Sequence, residues 1–216
     1  VIVCSPGKQD DAGGACLFEQ QGSEWTLDTC LDPISIAGVT LYQVGSAVSI
    51  SGNTAVVNAS YQLNGVAGSV YVFEQRDEEW VQTQEFISPE AVSTDSFGAA
   101  VSLSGNLLAV GSPGGAENEG AVYVFQRIGT AWRLSIKLVS DFQDKSKHFG
   151  TAVALSGNYL IIGDSESGQS KEGSAYIYHH DEDDEYWTRE ATLQGGAVTR
   201  GGDFGGAVAI SERYAV

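Results

Sequence analysis

The amino-acid sequence predicts an all-β chain, a β-propeller of four-stranded antiparallel blades, and three observations carry that prediction. The tryptophans Trp25, Trp80, Trp132 and Trp187 stand 55, 52 and 55 residues apart. A Val/Phe-Gly-x-Ala-Val segment recurs at Val44-Gly45, Phe97-Gly98, Phe149-Gly150 and Phe204-Gly205, its glycines 53, 52 and 55 apart. A glycine opens an aromatic run at Gly13 to Phe18, Gly68 to Phe73, Gly120 to Phe125 and Gly173 to Tyr178. One period near 53 with one internal order means one supersecondary unit written four times. Apolar spacing of the helical kind is absent, which excludes helical solenoids, and the unit is too long for leucine-rich repeats. Kelch blades match in length, but their Gly-Gly doublet has no fixed phase here, and a β-sandwich is the more remote alternative.

Each unit resolves into four short strands. In the first, Phe97, Ala99, Val101 and Leu103 are expected on one face, with Gly98, Ala100, Ser102 and Ser104 on the other. The small face suits an innermost strand crowded near an axis. Ser104-Gly105-Asn106 then turns the chain into Leu107-Leu108-Ala109-Val110, and Ser51-Gly52-Asn53 and Ser156-Gly157-Asn158 repeat that hairpin signal. The third strand is Ala121 to Phe125, with aromatics and valines on opposite faces, and the fourth begins near the tryptophan, as in Trp132 to Ile136.

Composition narrows the function. With 11 Lys and Arg against 28 Asp and Glu the net charge is −17, so no nucleic-acid partner is expected, because phosphate contacts need clustered cations. The same balance argues against docking on anionic lipid. No apolar run exceeds five residues, too few to insert in a membrane within this segment. Hydrophobic residues make up 42 % of the chain, ample for a core. The sequence contains no His-Glu-x-x-His, Gly-x-Ser-x-Gly, Walker lysine loop or Gly-x-Gly-x-x-Gly. No catalytic residues, cofactor or metal site is therefore assigned, and an enzyme is not expected.

The repeated Phe-Gly, followed one strand later by Gly111-Ser112-Pro113 and more loosely by Cys4-Ser5-Pro6, Asn58-Ala59-Ser60 and Gly163-Asp164-Ser165, resembles the FG-GAP repeat family, the blades of integrin α-subunit heads. The resemblance covers essentially the whole chain. It implies repeats over about 1–43, 44–96, 97–148 and 149–203, with a further one starting at 204–216. It also implies a larger ring, since propellers of this family usually have seven blades, about 370 residues at this period. The ends fit that expectation: Val1 to Pro6 and Tyr214 to Val216 both align inside a second strand, and the chain holds no methionine. In the integrin form, the turn between strands one and two often carries a calcium loop of alternating carboxylates. Here that turn has shrunk to Ser-Gly-Asn, or to Ser211-Glu212-Arg213, so the family's metal sites are not carried over.

The connections nominate one recognition face. Those between strands two and three (Ser5 to Ala12, Ala59 to Ala67, Ser112 to Glu119, Asp164 to Glu172) and between four and one (Asp28 to Gln43, Ser140 to His148) are long, whereas the others are mostly tight turns. The expected function is a non-enzymatic extracellular or cell-surface module for protein–protein interaction or adhesion through that face. A carbohydrate-binding propeller and a structural subunit of a surface filament or matrix are the alternatives. The expected partners are accordingly other proteins or glycans, including neighbouring copies or domains.

His179-His180 followed by Asp181 to Glu185 has the residue types of a cation site, but reads better as a solvated hairpin tip. His148 is read as a loop residue. The four tryptophans recur with the blade and are read as packing rather than as a sugar platform. By repeat alignment Cys4 replaces Gly111 and Cys16 replaces Tyr123 on neighbouring strands, which makes a Cys4–Cys16 disulfide geometrically reasonable. Cys16–Cys30 is the alternative, and three reduced thiols the third; an odd count leaves one thiol over. Asn58-Ala59-Ser60 is a glycosylation sequon at the mouth of a loop, which nominates Asn58 as a glycan carrier.

Overall fold

The computed structural model describes residues 1–4, 13–34, 41–62, 68–90, 95–114, 120–140, 148–167, 172–181, 186–195, 203–211 and 213–216. Among them fifteen strands alternate with turns and no helix intervenes: β1 (Ile2–Cys4), β2 (Ala15–Gln21), β3 (Glu24–Leu31), β4 (Leu41–Ser51), β5 (Thr54–Gln62), β6 (Ser69–Arg76), β7 (Glu79–Ile87), β8 (Ala100–Ser104), β9 (Leu107–Ser112), β10 (Ala121–Ile128), β11 (Ala131–Val139), β12 (Phe149–Ser156), β13 (Tyr159–Asp164), β14 (Ser174–Asp181) and β15 (Tyr186–Gln194). They form one sheet of three strands, β1-β2-β3, and three of four: β4-β5-β6-β7, β8-β9-β10-β11 and β12-β13-β14-β15. Every pairing within these sheets is antiparallel. No helix among the described residues is long and apolar enough to cross a membrane.

The core lies in the seams between consecutive sheets. Alternation along a strand gives each sheet two faces, and the facing sides of consecutive sheets meet. Ala15, Leu17 and Leu31 of the first sheet pack with Ala55, Val57, Tyr71 and Phe73 of the second. Val56, Val70, Val72 and Phe86 then meet Leu108, Val110, Tyr123, Phe125 and Trp132 of the third. Leu107, Val122, Val124 and Leu138 meet Leu160, Ile162, Tyr176, Tyr178 and Trp187 of the fourth. Trp80, Trp132 and Trp187 are thus seam residues, each leaning on the preceding sheet. Trp132 is 3 % exposed and Trp187 9 %, whereas Trp25, whose face has no sheet against it among the described residues, is 53 % exposed.

The Phe-Gly segment works differently from the simple alternation expected of it. Strand β8 starts only at Ala100, and in the fourth sheet Phe149 pairs with Asp164 while the next pair is Ala152 with Gly163. Two extra residues are looped out there, and the same shift separates Val44 from Val48. Ala99 is therefore exposed while Phe97 is buried; they do not share one face. The bulge turns on Gly150, at φ 93°, where a Cβ would stand 2.6 Å from the Ala121 carbonyl oxygen. It frees the phenylalanine to enter the seam, where Phe149 lies 5.3 Å from Tyr176 and Phe97 lies edge-on to Tyr123 at 5.5 Å. The glycine that opens the third strand belongs to the same device, since a Cβ on Gly120 would collide with the Phe149 backbone.

Serines on the small face of the inner strands join one sheet to the next. Ser49 and Ser51 accept the N–H groups of Leu103 and Gly105 at 3.0 and 3.1 Å, and Ser102 and Ser104 accept those of Leu155 and Gly157 at 2.9 and 3.1 Å. Further out, Gln84 bonds both backbone groups of Trp132, donating to its carbonyl at 3.1 Å and accepting from its N–H at 3.2 Å. Each of these bonds spans two sheets, so neighbouring sheets are held in fixed register.

Candidate functional site

Antiparallel order places the β1–β2, β5–β6, β9–β10 and β13–β14 connections at the same end of the sheets as the β3–β4, β7–β8 and β11–β12 connections. The tips of the nominated face, including residues 5–12, 35–40, 63–67, 115–119, 141–147 and 168–171, lie outside the described residues. Their bases are described. Asp95, which no sequence pattern singled out, anchors the connection from β7 to β8. Its carboxylate accepts from the Ser88 hydroxyl and from the Phe97 N–H at 3.0 Å. Its backbone carbonyl accepts from the Ser112 hydroxyl and the Gly114 N–H, both at 2.9 Å. A buried carboxylate is tolerated there because its oxygens are paired.

Beneath that anchor lies Tyr123. Burial raises its phenol above its usual range, and the nearby Glu90 carboxylate reinforces the shift. Glu90 pairs with Lys137, whose ammonium stands 5.7 Å from the Tyr123 ring centroid. Tyr71 holds the same place one sheet earlier and donates to Glu85 at 3.0 Å. In the fourth sheet burial likewise raises the phenol of Tyr176, whose neighbours include Ser140, Ser167 and Ser174. These clusters sit at the bases of the connections and help to hold them in place.

The structure pairs the nominated cysteines differently. The disulfide joins Cys16 to Cys30, and Cys4 is a free, exposed thiol. Register is the reason: Cys4 lies opposite Ala15, while Cys16 lies opposite Val3 on one side and Cys30 on the other. Directly paired residues share a face and adjacent ones do not, so Cys4 and Cys16 point to opposite faces. A signal for this was present in the repeat, because Tyr71 pairs with Glu85 and Tyr123 with Lys137, the same offset of fourteen that separates Cys16 from Cys30.

The sequon asparagine Asn58 is 0 % exposed. Its Oδ1 accepts from the Ala47 N–H at 2.8 Å, and its Nδ2 donates to the Gly98 carbonyl of the next sheet at 2.8 Å. It stands where the repeat has Gly111 and Gly163, which lie against the carbonyls of Gly150 and Gly205; the amide meets the same carbonyl with a hydrogen bond.

The histidines do not converge. His180 is buried and stacks on Trp187 at 4.9 Å, while His179 lies on the opposite face of β14 against Tyr159 at 4.7 Å. His148 pairs with Glu166 at 3.4 Å. Residues 182–185 of the acidic turn lie outside the described residues. Among the described residues no group of three or more His, Cys, Asp or Glu side chains is placed to hold a metal ion.

No curated protein matches the chain. The family model described as FG-GAP repeat matches residues 80–125 and again 132–178. Each matched unit begins at a seam tryptophan and ends at the third-strand aromatic of the following sheet, Phe125 or Tyr178. It therefore brackets the inter-sheet contact, with the Phe-Gly bulge at its middle. With two successive units matched and the same seam recurring before them, the chain carries FG-GAP repeats over residues 80–125 and 132–178, and its sheets are blades of a β-propeller.

Proposed function

We propose that this chain is an extracellular, non-enzymatic recognition module that binds proteins through the end of the blades carrying the long connections. FG-GAP propellers are in general protein-interaction modules and not enzymes; the face, the adhesive role and the location are the present reading. The observation that carries it is the anchoring of the connections by buried polar groups, Asp95 with Ser88 and Ser112 above all. Rigid blades with variable connections present a preformed surface, which limits the entropy lost on binding. The Cys16–Cys30 disulfide supports an oxidising compartment.

The test replaces residues 115–119 and 168–171 by Gly-Ser segments of equal length. Binding of the labelled chain to intact cells and to immobilised matrix proteins is then measured. Loss of binding at unchanged Tm is expected. Full binding by these variants, with loss on replacing the Gly105-Asn106 and Gly157-Asn158 turns at the other end, would move the site to the opposite face.

A further inference from the structure

The first blade departs from the others where its two outer strands meet. In the second and third blades a buried tyrosine of the third strand lies opposite a charged residue of the fourth, Tyr71 opposite Glu85 and Tyr123 opposite Lys137. At the same place the first blade sets Cys16 of β2 opposite Cys30 of β3, joined as a disulfide. The outer strand of each later blade also buries an aromatic ring in a seam, Phe86 in β7, Trp132 in β11 and Trp187 in β15. Strand β3 has no such anchor. Leu31 is its one buried residue, Thr26, Thr29 and Cys30 are half-buried, and the other four, Trp25 among them, are exposed. Exposed hydrogen bonds from Trp80 Nε1 to Asp28 at 3.3 Å and from the Thr26 hydroxyl to the Glu19 carbonyl at 3.5 Å add little in water. Cys16, Phe18 and Gln20 share one face of β2, and Gln20 lies opposite Trp25. The disulfide therefore stands on the face that no sheet covers among the described residues, and both its cysteines are only half-buried.

We infer that the Cys16–Cys30 disulfide is a redox latch on β3: its reduction lets this strand open from β2 while the later blades stay folded. A dithiol reductant acts by exchange. Its thiolate attacks one of the two sulfurs, the bond between Cys16 and Cys30 breaks, and the other sulfur leaves as a thiolate that takes up a proton. The second thiolate of the reductant then displaces the mixed disulfide and releases the remaining thiol of the chain. The chain gains two electrons and two protons, and the reductant is oxidised to its own disulfide. The attacking thiol comes from outside the chain, because Cys4 points to the opposite face of the sheet from Cys16. Opening stays local because blades, like other structural repeats, rest on their neighbours seam by seam. Leu31 is all that β3 contributes to the seam with the second blade. An open β3 bares the backbone N–H and C=O groups along the outer edge of β2, a row that pairs readily with another extended segment.

The test uses the chain carrying Cys4→Ser, which removes reshuffling, oxidised and after native treatment with dithiothreitol. Alkylation and intact mass report the state of the two cysteines, and amide hydrogen exchange mapped by peptide mass spectrometry reads each strand. Exchange over Glu24–Leu31 is expected to quicken by about a hundredfold on reduction, the factor that a closed loop of this length supplies. Strands β8 to β15 are expected to change by less than about twofold. The double variant Cys16→Ser, Cys30→Ser should show the reduced pattern without reductant. The double variant Cys16→Tyr, Cys30→Glu, which copies the pairing of Tyr71 with Glu85, should not respond to dithiothreitol. A disulfide that resists the dithiol until the chain is unfolded overturns the inference. So does a reduced chain whose β3 exchanges within about threefold of the oxidised rate. Equal acceleration in all four sheets overturns it as well, because the bond would then support the whole fold, and so does a dithiothreitol response in the Cys16→Tyr, Cys30→Glu variant.

Discussion

Replacing Asn58 by Ala removes the amide that joins the second blade to the third. The buried Gly98 carbonyl and the partly buried Ala47 N–H, each bonded to it at 2.8 Å, are left without that partner. An unsatisfied buried group costs about 1–3 kcal/mol, so the pair amounts to about 2–6 kcal/mol, with the partly buried Ala47 N–H at the low end of its share. At about 2–4 °C per kcal/mol for this length, the corresponding fall in Tm is about 4–24 °C. Urea and thermal unfolding followed by tryptophan fluorescence measure it, with Trp132 reporting from the adjoining seam. The same site gives a second readout: peptide mapping of the secreted chain should find Asn58 unmodified despite its sequon. A change within about 0.5 kcal/mol, the range of ordinary surface substitutions, or a glycan on Asn58 of the folded chain, would refute the inter-blade role.

Other expectations follow from the same seams. Under non-reducing conditions, alkylation followed by peptide mapping should label Cys4 alone; Cys30→Ser should cost about 3 kcal/mol for a loop of this length, and Cys4→Ser almost nothing. Trp132→Ala should cost about 3–5 kcal/mol, as for other buried aromatics, whereas Trp25→Ala should stay within about 1 kcal/mol because that side chain is half exposed; equal costs in denaturation would contradict the seam assignment. Tyr123 and Tyr176 have folded pKa values above that of an unfolded tyrosine. Their contribution is complete below about pH 10, the unfolded value. It is lost as pH rises from there towards the folded values, because the unfolded chain alone ionises. Tyrosinate absorbance should therefore lag in the folded chain, and stability should fall above about pH 10.

The period and order of the repeats were open to reading because packing imposes them residue by residue. A seam tryptophan, a Phe-Gly bulge and a third-strand glycine must recur wherever a blade recurs, since each meets its counterpart on the neighbouring blade. The seam role of the tryptophans and the tight Gly-Asn hairpins were legible for the same reason. The face of each residue around Phe97 was not, because the bulge breaks the period-two rule from which faces are inferred. The tethering serines were visible only as a small face, their acceptor role depending on a strand more than fifty residues away.

The site residues divide along the same line. Sequence by itself determined the four-stranded unit, its repetition, the end of the blades where long connections gather and the shortening of the family's calcium turn. All of these depend on local spacing. Only the tertiary structure decided that Cys16 pairs with Cys30, because register chooses which strand neighbours share a face. It alone decided that Asn58 is buried against Gly98, and that Asp95 anchors a connection. A sequon or a lone aspartate carries no record of whether the next blade closes over it; burial is a property of two blades together, and the unit repeated in the sequence is one.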